Sequence, residues 1–232
     1  MQKLLWNISW LVLRPLLRIF CRFKINGAEN LRGISGPVIL AIATHSHILD
    51  SYIVGAAMPF NCRLYPVRYM TKESFFKIPI VAGIIRAYGA FPVVRGQEIK
   101  NVLLPAAKLL EKNSAVGIFI EGKISREGKL RELKKGVSCL AFLTEAPVLP
   151  IALKGTYQIR NPLKFLFTKR KINVSFGKPI KISDFGLSPD QNLENQENIE
   201  KFTKIIENQI KTLFRKDIAS ADAERKKLYF SA

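Results

Sequence analysis

From Phe23 onward the chain alternates short apolar runs with stretches whose apolar residues recur at helical spacing, and this alternation restricts the fold more than any other feature. Ile39 to Ala43, behind Pro37, reads as a buried strand, and Asp50 to Met58 as a helix with a carboxylate in its first turn. Arg63 to Tyr69 reads as a strand, Phe75 to Ala87 as a helix interrupted at Pro79, and Ala90 to Val94 as a short strand. Asn101 to Lys112 places Val102, Leu103, Ala106, Leu109 and Leu110 at helical spacing, with Pro105 fitting best in its first turns. Ser114 to Ile120 reads as a strand, Gly136 to Thr144 as a helix, Val148 to Leu153 as a buried strand and Lys171 to Phe176 as an edge strand. After the solvated loop Ser188 to Asn198 comes an amphipathic helix through Ile199, Phe202, Ile205, Ile206, Ile210 and Leu213, and the tail from Asp217 reads as frayed or surface-bound. The expected class is therefore α/β, with a mixed, mainly parallel sheet flanked by helices.

The first 22 residues break this pattern. Apolar residues crowd together there, but Lys3, Arg14, Arg18 and Arg22 interrupt them, leaving no run near the roughly 20 residues that a spanning helix needs. Trp6 and Trp10 read as interfacial anchors beside arginines at helical spacing, so the expectation is a helix lying in a membrane surface; Pro15 would kink it or start a second helix. A helix packed on the protein's own core is the competing reading. The expected division is 1–25 as membrane-associated helical segment, 26–218 as the α/β domain and 219–232 as tail.

Charge narrows the partner. Thirty-seven Lys and Arg against 18 Asp and Glu give a formal charge of +19, which draws the protein to something anionic. A nucleic-acid groove would need its aromatic residues among the cations, whereas the tryptophans sit in an apolar helix, so nucleic acid is not expected as a partner. Three cysteines, Cys21, Cys62 and Cys139, without paired spacing imply reduced thiols and a cytoplasmic face.

Both histidines lie in Thr44-His45-Ser46-His47, where the first strand should end. Open α/β sheets place their chemistry at that end. The short loop can fold Asp50 back onto His45, so that one ring nitrogen donates to the carboxylate and the other stays basic: a general base held in one tautomer. A loop histidine beside a helix-capping aspartate is the plainer reading. A zinc site starting from His45 and His47 would need Cys62, Cys139 or Glu121 to complete it, since no third histidine exists.

Two further loops are loaded with cations. Gly89 to Gly96 carries Arg95, and the turn after Phe119 carries Glu121, Gly122, Lys123, Ser125 and Arg126; glycines there allow close approach and bare amides, and arginine suits phosphate oxygens.

His45-x4-Asp50, then Gly89-Ala-Phe-Pro-Val-Val-Arg95, then Phe119-Ile-Glu121-Gly122 with Ser125-Arg126-Glu-Gly128, then Ala146-Pro147-Val-Leu-Pro150 resemble the four ordered blocks of the PlsC-like glycerolipid acyltransferases, over roughly residues 35–155. The resemblance implies transfer of a fatty acyl group from acyl-CoA or acyl carrier protein to a lysophospholipid hydroxyl, foremost 1-acylglycerol-3-phosphate, at a bilayer on the cytoplasmic face. His45 would be the base, Asp50 its orienter, and Arg95, Glu121, Gly122, Lys123, Ser125 and Arg126 the acceptor-binding elements. No cofactor is implied, the thioester being a co-substrate. The family usually has Asn before the histidine, Ser two residues after it and Thr-Arg after Glu-Gly; here Thr44, His47 and Lys123-Ile124 stand instead, which bears on the acceptor more than on the reaction. An acceptor other than lysophosphatidate, or a lipid-binding protein without turnover, are the rival functions.

Overall fold

The apolar run Ile39 to Ala43 lies at the centre of the sheet in the computed structural model of the chain, which describes residues 1–94, 96–122, 130–158 and 170–230, without the side chains of 158 and 217–230. This strand, β2 (Val38–Ala43), is preceded by β1 (Arg22–Asn26) and followed by β3 (Arg68–Lys72), β4 (Phe91–Val93), β5 (Ala115–Phe119), β6 (Val148–Lys154) and β7 (Lys171–Phe176). The described strands form one sheet of order β1-β7-β6-β2-β5-β3-β4. β2 pairs in parallel with both β5 and β6, and the β6–β7 pairing is antiparallel, so the sheet is mixed and mainly parallel as expected.

Burial on both faces explains why β2 reads as an uninterrupted apolar run. Val38, Leu40 and Ile42 pack into one core with α1 (Gln2–Phe20) and α2 (Asp50–Ala57). Ile39, Ala41 and Ala43 pack into the other, against α4 (Ile99–Glu111), α5 (Gly136–Thr144) and α6 (Gln196–Phe230). The helix α3 (Pro79–Ala87) lies between β3 and β4, with Pro79 in its first turn, where a missing N–H is harmless.

Trp6 is not an interfacial anchor. It is 2% exposed and inside the first core, stacked on Tyr65 at 5.4 Å between centroids, with Tyr88 edge-on at the same distance. Its indole N–H donates to the Tyr88 carbonyl. Gly55 of α2 makes room for it: a Cβ there would meet the indole at 2.3 Å. Arg14 is likewise turned inward, over the Trp10 ring and donating to the carbonyls of Met58 and Ala56 at the C-terminal end of α2, where cations are favoured. The opposite side of α1 keeps Leu4, Ile8, Leu11, Val12 and Ile19 each about half or more exposed. α1 runs unbroken through Pro15, whose ring lies on the exposed side, so the carbonyl freed one turn earlier can turn to solvent.

Four further expectations are corrected. β7 is an interior strand, and β1, which crosses the expected boundary at residue 25, is the edge. The polar–apolar alternation of Lys171 to Phe176 reports which face is packed, and says nothing of how many strands pair along its edges. Arg63 to Val67 form a turn, and the strand starts only after Pro66, which has no N–H for a ladder. Pro105 sits mid-helix in α4, on its exposed side. The chain from Asp217 is helical through Phe230 rather than frayed; Ala, Glu, Arg and Lys, all strong helix formers, dominate it.

Candidate active site

β2 ends at Ala43, and the next residue, Thr44, is in the left-handed region at φ 57°. That single reversed residue turns the chain out of the sheet and into the loop that carries both histidines. Asp50 closes the loop from the first turn of α2. It is fully buried, and its Oδ2 accepts the main-chain N–H groups of Ser46 at 2.6 Å and His47 at 2.8 Å, and lies 3.0 Å from Nδ1 of His45. A carboxylate oxygen can only accept, so Nδ1 carries the proton and Nε2 is the basic nitrogen of His45.

His47 is held differently. Its Nδ1 accepts the N–H of Leu49 at 3.2 Å, and burial lowers its pKa against a partial opposing pull from Asp50, so it is a neutral ring tied to its own loop. The carboxylate thus serves the ring of His45 and only the backbone of His47.

The imidazole of His45 stacks on Phe119, with centroids 3.9 Å apart and planes 22° from parallel, and keeps 21% of its side chain exposed. Phe119 is the last residue of β5 and pairs with Ile42 of β2, so parallel register brings it beside the end of the neighbouring strand. In the sequence Phe119 stands inside the Phe119-Ile-Glu121-Gly122 motif with no role of its own. The signal was there in principle: two adjacent parallel strands end together, and a large apolar residue at one end can floor whatever the other end carries.

Glu121 follows two residues later. Its side chain points inward: Oε1 accepts the N–H of Thr44 at 2.8 Å, and the residue is 4% exposed. Burial raises its pKa, while the Thr44 N–H, the nearby His45 and Arg131 act in the opposite direction. Gly122 turns the chain at φ 64°, its N–H donating to the Phe119 carbonyl. Arg95, Lys123, Ser125 and Arg126 lie outside the described residues. Among the described residues no three His, Cys, Asp or Glu side chains are grouped to hold a metal ion. Cys21, Cys62 and Cys139 are free and buried, and burial pushes all three thiols up, Cys139 to about 11, so none supplies a thiolate nucleophile.

The family model described as Acyltransferase matches residues 22–154. A 1-acyl-sn-glycerol-3-phosphate acyltransferase of Bacillus subtilis is 30% identical over 205 residues, covering 88% of this chain and 94% of that protein. A chloroplastic enzyme of the same name from Arabidopsis thaliana is 31% identical over 143 residues, 60% of this chain and 38% of its own length. In fold the chain is similar to the crystal structure of PlsC, the 1-acyl-sn-glycerophosphate acyltransferase of Thermotoga maritima, at a TM-score of 0.64 and 20% identity, over 91% of this chain and 81% of that one. The family match opens at the first residue of β1, takes in the His45 loop and the Glu121 turn, and closes at the last residue of β6: the chain belongs to the PlsC-like acyltransferase family.

Proposed function

We propose that the chain transfers a fatty acyl group from a thioester, acyl-CoA or acyl carrier protein, to the free hydroxyl of a lysophospholipid, foremost 1-acylglycerol-3-phosphate, giving phosphatidate. The observation that carries this reading is the His45 imidazole, with Nδ1 committed to a fully buried Asp50 and the ring still partly exposed. Nε2 takes the hydroxyl proton as the acceptor oxygen adds to the thioester carbonyl; Asp50 fixes the tautomer and stabilises the imidazolium. Collapse breaks the C–S bond, completes the ester and returns the proton to the departing thiolate. No enzyme nucleophile is required. Relatives named for 1-acylglycerol-3-phosphate, and the +19 charge, support a phosphate on the acceptor, for which Arg95, Lys123, Ser125 and Arg126 are the candidate ligands in sequence.

Substrates of this kind reside in bilayers. Among the described residues no helix is long and apolar enough to cross a membrane, but α1 presents an apolar stripe away from the core, which supports attachment in the plane of the surface. The reduced thiols and excess of cations support the cytoplasmic face. Radiolabelled acyl-CoA and acyl carrier protein, each offered with lysophosphatidate and with uncharged or zwitterionic lysolipids, test the reading. Phosphatidate formation inhibited by glycerol 3-phosphate is expected; transfer only to acceptors without a terminal phosphate would contradict the assignment.

A further inference from the structure

We propose that Glu121 is a positioning residue for His45, acting through the main chain of Thr44 and not through the acceptor. The inference deepens the acyl-transfer reading of this site and rests on it for its kinetic arm alone.

Thr44 is an unusual occupant of its conformation. Residues with φ near +57° are uncommon outside glycine, asparagine and aspartate, and a β-branched side chain is among the least suited to it. Such a conformation persists only where the surroundings hold it. Here they do so from both sides. β2 lies between β5 and β6; Glu121, just beyond β5, accepts the Thr44 N–H, and Leu153 of β6 accepts its hydroxyl. Thr44 is 3% exposed and Glu121 4%, so water replaces neither contact cheaply.

The direction of the next residue depends on this clamp. With Thr44 reversed, His45 leaves the sheet onto Phe119 and within reach of Asp50. If Thr44 relaxed to an extended conformation the chain would leave β2 in another direction, and the ring could not keep both partners. A carboxylate buried beside a sheet end is costly; Arg131 helps to hold its charge, and its Oε1 is spent on the hinge of the histidine loop. Its burial also keeps it from an acceptor headgroup.

The test uses full-length protein and needs only two histidine signals, because the chain has two. Protein labelled with 15N-histidine, with His47→Gln to assign the spectrum, should show an Nδ1–H resonance of His45 hydrogen-bonded to Asp50. Glu121→Gln keeps an acceptor for the Thr44 N–H and should keep that resonance; Glu121→Ala should lose or broaden it. In the transfer assay Glu121→Ala should lower kcat by about a hundredfold, the scale of a misplaced catalytic group, with the acceptor KM within about twofold, and Glu121→Gln should recover all but about threefold. If Glu121→Ala fails to fold, adding Thr44→Gly, which takes the reversed backbone without a clamp, is expected to restore both folding and the resonance, and a folded double variant without the resonance would overturn the proposal. A raised acceptor KM with kcat and the His45 resonance intact would overturn the proposal, as would an unchanged resonance in a folded Glu121→Ala protein. A wild-type protein that transfers no acyl group would sink the functional reading while the resonance still decides this one.

Discussion

The Asp50 carboxylate reaches Nδ1 of His45 at 3.0 Å, and it does so with the same oxygen that gathers two main-chain N–H groups of the intervening loop. Loop shape and ring tautomer are therefore set by one buried atom. Asp50→Asn, which leaves a carbonyl oxygen for the two N–H groups but weakens the orienting contact, is expected to lower kcat more than it lowers the melting temperature; thermal unfolding beside transfer kinetics checks this. A large loss of stability with kcat per folded molecule unchanged would make Asp50 a loop residue only.

The contact of Trp6 with Gly55 gives a stability prediction whose sign is not obvious. Gly55→Ala gains about 1 kcal/mol of helix propensity in α2, but its methyl must displace an indole ring already stacked on Tyr65. Overpacking of this kind costs about 1–3 kcal/mol, so the net effect should be destabilising. Trp6→Ala should cost about 3–5 kcal/mol. Denaturant titration of both variants reads it out, and a stabilised Gly55→Ala protein would show that the ring is free to move.

The two sides of α1 should separate in experiment. Replacing Leu4, Ile8, Leu11 and Val12 with glutamine leaves Trp6 and Leu17 in the core, and should shift the protein from the pellet to the supernatant in sedimentation with anionic vesicles while the melting temperature holds. Unchanged sedimentation would place the attachment elsewhere.

Glu121 makes stability depend on pH. Burial raises its carboxyl above the ordinary 4.5, so the folded chain holds that proton more tightly than the unfolded chain. Between 4.5 and the raised folded value the folded state carries more protons, and stability falls as pH rises through that window. Glu121→Gln removes the titration, so its melting temperature should fall less than that of the wild type over the same range. Parallel melting curves for the two proteins would contradict the burial.

Periodicity carried what lies in the middle of the fold. β2, α2 and α5 are legible because both-sided burial and helical spacing are local properties of the chain. The interior place of β7 is not local: it is set by Arg22 to Asn26 pairing from the far end of the sequence. The place of Trp6 is hidden for a related reason, since a tryptophan among arginines looks the same whether its ring meets lipid or the distant Tyr52, Tyr65, Tyr69 and Tyr88. At the site, the spacing of His45 and Asp50 pointed to their contact. The inward turn of Glu121 was hidden, because a carboxylate before a glycine and a lysine reads as a ligand loop until the neighbouring strand end is seen to need its oxygen.

The most direct test of His45 as the base is the pH–rate profile of acyl transfer for the wild type, His45→Ala and His47→Ala. His45→Ala is expected to lower kcat by about two to four orders of magnitude and to lose the acid limb of the profile while lysolipid binding persists; His47→Ala should lose far less and keep that limb. An inactive His47→Ala beside an active His45→Ala would contradict it.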